Sequence, residues 1–253
     1  MYNMAKLFES AKENLGFLLV CVLVFAGLFL LAKLYEFFAM RRQRRVSQAH
    51  YAAYVAVFGA LAGALMLLEI PLFFAPGFYK LDASEIPVMI CTFYLGPVAG
   101  VATELVKVIV KLLLKGTTTA FVGDFANFVV GCTFVLPASM LYHMRKTKRM
   151  ALYSCLLGTV CMAAFGSFFN AVYLLPKFSQ LFGLPLEAII GMGTAVNGAI
   201  TSVSTLVLFA VVPFNILKGA MITLLTFLLY KRVEKLIFRR AERVAEISKQ
   251  SET

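Results

Sequence analysis

The sequence predicts an all-α integral membrane protein, a bundle of helices packed inside a lipid bilayer. Three observations carry this. Of 253 residues, 61% are hydrophobic and only 15% charged, with a mean hydropathy of +0.85; a soluble domain is nearer one-half apolar and one-quarter charged. The apolar residues form continuous runs close to the ~20 residues that cross a bilayer as a helix, without the alternation of an outer-membrane barrel. Fifteen of the 24 Lys and Arg fall in three short segments, 41–45, 145–149 and 231–249, each beside such a run.

Each element follows in order. Leu15 to Ala32 is uncharged and long enough to span. It has no short core with a small-residue cleavage site and runs into Lys33 and Arg41, Arg42, Arg44 and Arg45, so it reads as a retained signal-anchor helix. Val46 to Leu68 is the second helix and ends at Glu69. Ile70 to Ser84, with Pro71, Pro76 and Gly77, reads as a loop. Gly96-Pro97 is a turn signal that splits the next stretch into a hairpin, with arms of about Ser84 to Leu95 and Pro97 to Leu114. The second arm carries Glu104, Lys107 and Lys111 at helical spacing. Thr117 to Val122 is a polar loop. A helix from about Asp124 meets the basic segment after Met144. Another runs from about Met150 to Leu175 and stops at Pro176. Lys177 to Gly198 reads as loop with a short helix from Pro185 to Met192. The last long helix runs from about Ala199 to Tyr230 with Pro213 inside it. A basic tail begins at Lys231.

This gives seven spans when the hairpin arms are both counted. The three basic segments then share one face, which the positive-inside rule makes cytoplasmic. The N-terminus and the loops 70–84, 115–123 and 176–198 fall outside. The net charge of +11 thus sets orientation and meets anionic lipid headgroups; it does not point to nucleic acid. Trp is absent, so Tyr and Phe must form any aromatic belt. All five Cys lie within apolar runs and no CxxC occurs, which reads as small apolar side chains and not as a metal or redox site.

Catalysis has little raw material. There is no GxxxxGK[ST] phosphate loop and no HExxH, and both His50 and His143 lie near basic ends. No catalytic residue and no metal site is assigned. The informative groups are polar residues at membrane depth. Lys218 precedes the basic tail by about 18 Å of helix, and a charge there is by default functional. Its bland alternative is a structural lysine paired with a carboxylate such as Glu69. Asn215 shares its helical face, and Pro213 frees a carbonyl one turn back. Asn170 can read a ring edge with donor and acceptor, or can simply bond another helix. Pro76 to Asp82 combines turn residues, aromatics, Lys80 and Asp82, and is either a cover over a pocket or an ordinary solvated loop. Ala52, Ala56, Ala60 and Ala64 repeat every fourth residue, the pattern of a smooth groove for close helix packing.

Several blocks resemble one known family. They are Ala60-Leu61-Ala62, Leu65 to Leu72, Phe78 to Pro87, Leu95 to Gly100, Gly123 to Phe128, Asn170 to Pro176 and, most specifically, Val212 to Gly219. In order over about residues 50–235, they resemble the riboflavin-specific S component of energy-coupling factor (ECF) transporters. The resemblance implies a six-helix S-component bundle, here with one extra N-terminal transmembrane helix. The expected organisation is 1–45 for that helix and its basic linker, 46–235 for the membrane domain and 236–253 for a basic cytoplasmic tail.

The resemblance also implies function. Riboflavin is captured from outside as a transported ligand, with no cofactor and no catalysis. Ligand contacts would fall on Asn170, Asn215 and Lys218, while Lys80, Leu81 and Asp82 close over the site. Ala56 and Ala60 would dock the transmembrane coupling subunit, which works with two ATPase subunits. The whole S component would then reorient in the cell membrane. The extra helix departs from the family and would alter docking if it covered Ala56 and Ala60. The segment 177–198 also looks long, and Met192 to Asn197 is a candidate for added pocket or lid contacts. The alternatives are an S component of the same fold for another flavin or vitamin, and a solitary intramembrane enzyme or scaffold using Lys218 and Glu104.

Overall fold

The structure, a computed structural model, describes residues 15–40, 47–117 and 121–233. The N-terminal residues, the basic segment 41–45 and the tail expected over 236–253 lie outside these. Ten α-helices are described: α1 Leu15–Ala39, α2 Gln48–Leu65, α3 Glu85–Leu95, α4 Pro97–Lys115, α5 Val122–Met144, α6 Lys148–Phe169, α7 Leu175–Phe182, α8 Leu186–Thr194, α9 Val203–Leu206 and α10 Val212–Val233. A two-residue ribbon, β1 Ile70–Pro71 with β2 Lys80–Leu81, pairs antiparallel in the loop after α2.

The long helices expected from the sequence are found with shifted ends, the last beginning at Val203 and not at Ala199. Four continuous helical stretches are long and apolar enough to cross a membrane: Gly16–Ala39, Val122–Met144, Lys148–Leu181 and Val203–Tyr230. The protein is therefore a multi-pass membrane protein. The helices α2 and α4, at 18 and 19 residues, rise about 27–29 Å. The charges that lower the hydropathy of α4, Glu104, Lys107 and Lys111, are turned inward and buried.

Two prolines do not stop their helices. The sequence places an end at Pro176, but α6 continues through a π turn, Asn170–Leu174, into α7. A second π turn, Val207–Val211, precedes Pro213 and joins α9 to α10. A proline lacks an N–H and its ring crowds the carbonyl one turn back. The wider turn absorbs that misfit, and such turns recur at functional sites. Over 177–198 the short helix expected from Pro185 to Met192 is found as α8, and the stretch before it, read as loop, holds most of α7. Residues 183–185 and 195–202 remain irregular, and Ser202 and Thr205 form a reciprocal cap at the start of α9.

The hairpin of α3 and α4 turns at Gly96, which has φ +114° and ψ 178°, a region open essentially to glycine alone. A Cβ there would lie 2.7 Å from Glu36 Oε1. That carboxylate, on α1, accepts a 2.9 Å hydrogen bond from the Val98 N–H, one of the orphan donors at the start of α4. The Tyr35 hydroxyl donates to the Met140 carbonyl of α5 at 2.6 Å. Phe17 meets Phe125 edge-on at 5.6 Å and Phe25 lies 5.6 Å from Phe128. The extra helix thus packs on α4 and α5.

The second helix packs on α4 through its other face. A Cβ on Gly59 or Gly63 would lie 2.5 and 2.6 Å from Val106 and Val110, so these glycines permit the close approach. Ala52, Ala56, Ala60 and Ala64 remain exposed. The concern that α1 would cover this stripe is not met.

Candidate functional site

Where α5 begins and α6 ends, the bundle opens into a cavity of about 790 Å³ of atom-free space, part of it open to the outside. Its wall on α5 runs from Val122 to Gly131, so it lies toward the opposite end of α5 from the basic turn 145–149, about 21–34 Å away along the helix. Apolar residues form most of its wall: Phe78 of the β1–β2 loop, Val130 of α5, Met162 of α6, Leu174 of the π turn, Phe178 of α7 and Phe214 of α10. Such a wall with a few placed polar groups suits a flat organic ligand.

Those polar groups come from separate elements. The π turn brings Asn170 to the wall. Its Nδ2 donates to the Gly166 carbonyl at 2.8 Å, and its Oδ1 accepts from the Tyr79 hydroxyl at 2.9 Å. Three residues before Lys218 on α10 is Asn215, only 2% exposed. Its Nδ2 has no hydrogen-bond partner among the described residues. A buried, unused donor is costly, and this one lines the cavity. Lys218 Nζ lies 3.2 Å from Asp82 Oδ2 and 3.7 Å from Glu85 Oε1. It faces the same space.

The ribbon and its loop border the cavity through Phe78, Tyr79 and Lys80 and are tied at two levels. On its outer side Glu69 Oε2 accepts from Lys80 Nζ at 2.9 Å and from Lys115 Nζ at 2.6 Å. Partial burial pushes the Glu69 carboxyl up, but the two lysines outweigh it and hold it below the usual carboxylate range. On its inner side Asp82 accepts from the Ser84 N–H at 2.9 Å and from the Ser84 hydroxyl, and pairs with Lys218. The ring of Phe78 packs 5.4 Å from Phe178, and Tyr79 lies 5.4 Å from Phe214.

Of the residues named from the sequence, Lys80, Asn170, Asn215 and Lys218 line the cavity together. Leu81 and Asp82 do not. Leu81 is paired with Ile70 in the ribbon, and Asp82 turns beneath it toward Lys218. The alternative pairing of Lys218 with Glu69 is not found, because Glu69 sits on the outer side with Lys80 and Lys115. Met192 is 43% exposed, and Asn197 accepts from the Ala199 N–H at 3.0 Å. That segment caps its own turn and adds nothing to the cavity wall.

Sequence reasoning missed Glu85, Asn127, Phe214 and Met162, all on the wall. For Glu85 the available signal was the helical spacing of Glu104 and Lys107, which called for an opposite partner within the membrane. For Asn127 it was an amide amid the apolar run of α5.

Comparison with known proteins agrees with this architecture. Residues 50–230 match the family model of the ECF transporter substrate-specific component. The chain is 29% identical over 199 residues to the riboflavin transporter RibU of Staphylococcus aureus, covering 79% of this chain and 98% of that one. It is 30% identical over 181 residues to the riboflavin transporter FmnP of Bacillus subtilis, covering 71% and 90%. Among solved structures, the S component of a bacterial ECF transporter superposes with a TM-score of 0.59 at 29% identity, covering 76% of this chain and 99% of the other. With a matching bundle, a polar-tipped apolar cavity and a family match over most of its length, the chain belongs to the substrate-specific components of ECF transporters.

Proposed function

We propose that this protein captures riboflavin and carries it into the cell. The observation that supports it most is the buried, unpartnered Nδ2 of Asn215 beside Lys218 and Asn170 in an apolar cavity. The isoalloxazine ring has a polar edge of carbonyls and ring nitrogens and an otherwise apolar surface. Lys218, Asn215 and Asn170 bond that edge, while Phe214, Phe178, Leu174 and Met162 cover the ring. Lys80, Leu81 and Asp82 act through the ribbon as a lid, the last two from beneath it. Riboflavin is the cargo; no cofactor takes part, and no catalytic step is assigned. The riboflavin transporters among its relatives favour this cargo over another flavin or vitamin.

The same reading assigns partners. A transmembrane coupling subunit docks on the exposed alanines Ala56 and Ala60, and two ATPase subunits supply the energy. The cavity opens outward and the basic turn 145–149 faces the cytoplasm, with the N-terminus outside and the C-terminus inside. Purified protein should carry flavin with visible absorbance. After stripping, riboflavin titration should quench flavin fluorescence near-stoichiometrically. Absence of quenching by demonstrably folded protein would overturn riboflavin as the cargo. A different vitamin that stabilises the fold would then take its place.

A further inference from the structure

Behind the part of the cavity wall that Glu85 and Lys218 line, five charged groups converge from three helices and the loop after β2. Lys107 Nζ of α4 lies 2.7 Å from Glu85 Oε1 of α3 and 2.5 Å from Glu104 Oε2 of its own helix. Lys218 of α10 reaches Asp82 and Glu85. All five are at most 5% exposed. Fully ionised, three carboxylates against two ammonium groups leave one surplus negative charge. Lys111 does not offset it, since its Nζ is 2.5 Å from Asp124. From α5 the titratable neighbour is the Cys132 thiol, which brings no positive charge. A buried uncompensated charge is neutralised before it is tolerated.

The geometry selects which acid gives way. Asp82 has Lys218 and two donors from Ser84. Glu85 faces both lysines. Glu104 faces Lys107 alone. Glu85 Oε2 and Glu104 Oε1 receive no hydrogen bond from any described residue, Glu104 Oε2 has only its ion pair with Lys107, and the two carboxyls abut. Two facing acceptors are satisfied by one shared proton. The α5 backbone closes over the pair, since a Cβ on Gly131 would lie 2.7 Å from both Glu104 oxygens. That leaves no room there for a hydrated cation.

We propose that Glu104 is a proton-binding site, a neutral carboxylic acid that donates a hydrogen bond to Glu85 and renders the cluster neutral. The ion pairs of Lys107 and Lys218 then carry no net charge into the bundle. The assignment is independent of which ligand the cavity takes. Infrared spectroscopy of the full chain in detergent tests it. The C=O band of a protonated carboxylic acid should persist from about pH 6 to about pH 8, where ordinary carboxylates are ionised, and should vanish in Glu104→Gln. That variant should melt within a few degrees of the wild type, because glutamine keeps the shape and the donor of the neutral acid. A wild type without the band, a band that survives in Glu104→Gln, or a Glu104→Gln chain that does not fold would each overturn the proposal. So would a melting temperature raised by sodium over choline at equal ionic strength, because a metal cation would then be the neutralising ion.

Discussion

The Tyr79 hydroxyl donates a 2.9 Å hydrogen bond to Asn170 Oδ1, so the lid itself occupies an acceptor on the cavity wall. A ligand that bonds this oxygen must first displace the phenol. Tyr79→Phe should therefore tighten riboflavin binding by up to about fivefold, the worth of one ordinary hydrogen bond. Fluorescence-quenching titration of both proteins measures it. Weaker binding by the variant would show that Tyr79 contacts the ligand instead of competing with it.

Lys218 serves both the cavity and the lid. Lys218→Met should weaken riboflavin binding by about 1–3 kcal/mol, the range for a lost charged hydrogen bond. It also strands Asp82, so the variant should be paired with Asp82→Asn to keep the fold. The double variant binding as tightly as wild type would remove Lys218 from the ligand contacts.

The exposed alanine stripe gives a prediction that separates binding from transport. Ala56→Trp or Ala60→Trp fills the groove without touching the cavity. Cells carrying either variant with the full transporter should lose riboflavin uptake, while the purified variants bind as before. Uptake that survives would place the docking face elsewhere.

The outer tie at Glu69 sets a pH window. Its folded carboxyl sits below the usual range, so its stabilising contribution is present above the unfolded value of about 4.3 and is lost as pH falls through the lowered folded value. At neutral pH the tie to Lys80 and Lys115 is intact. Glu69→Gln should free both lysines and speed ligand release several-fold in stopped-flow measurements at low salt. The difference should shrink at high salt, as screening weakens the exposed pairs. Equal release rates at low salt would mean the tie does not hold the lid.

Gly96→Ala should destabilise the protein by about 1–3 kcal/mol, the cost of a side chain in that backbone region. The new Cβ would also press on Glu36 and loosen the extra helix. Thermal unfolding in detergent measures the loss, and an unchanged midpoint would show that the turn relaxes freely.

Much of this was legible in the sequence because lipid simplifies the problem. Continuous apolar runs and clustered arginines located every long helix, and Gly96-Pro97 located the hairpin turn. Lys218, Asn215 and Asn170 stood out because polar groups are scarce in such runs. What stayed hidden depended on three-dimensional pairing. Nothing local tells that Lys218 meets Asp82, 136 positions away, and not Glu69. Nor does a proline announce whether a helix stops or widens, which is why Pro176 read as an end. Leu81 and Asp82 were expected to close over the site, but which face each side chain takes depends on the ribbon's register with Ile70 and Pro71.

The two π turns, Asn170–Leu174 and Val207–Val211, act as phase shifters. Each holds one residue more than an α turn, so everything beyond it is rotated by roughly 100° relative to an unbroken helix. Leu174, Leu175 and Phe178 reach the cavity through that rotation. Removing one residue from 170–174 would barely shorten the helix but would swing this wall away from the ligand. The shape of the chamber is therefore written in angular increments, and single-residue insertions or deletions at these two turns could recut it while the spans that hold it in the membrane stay as they are.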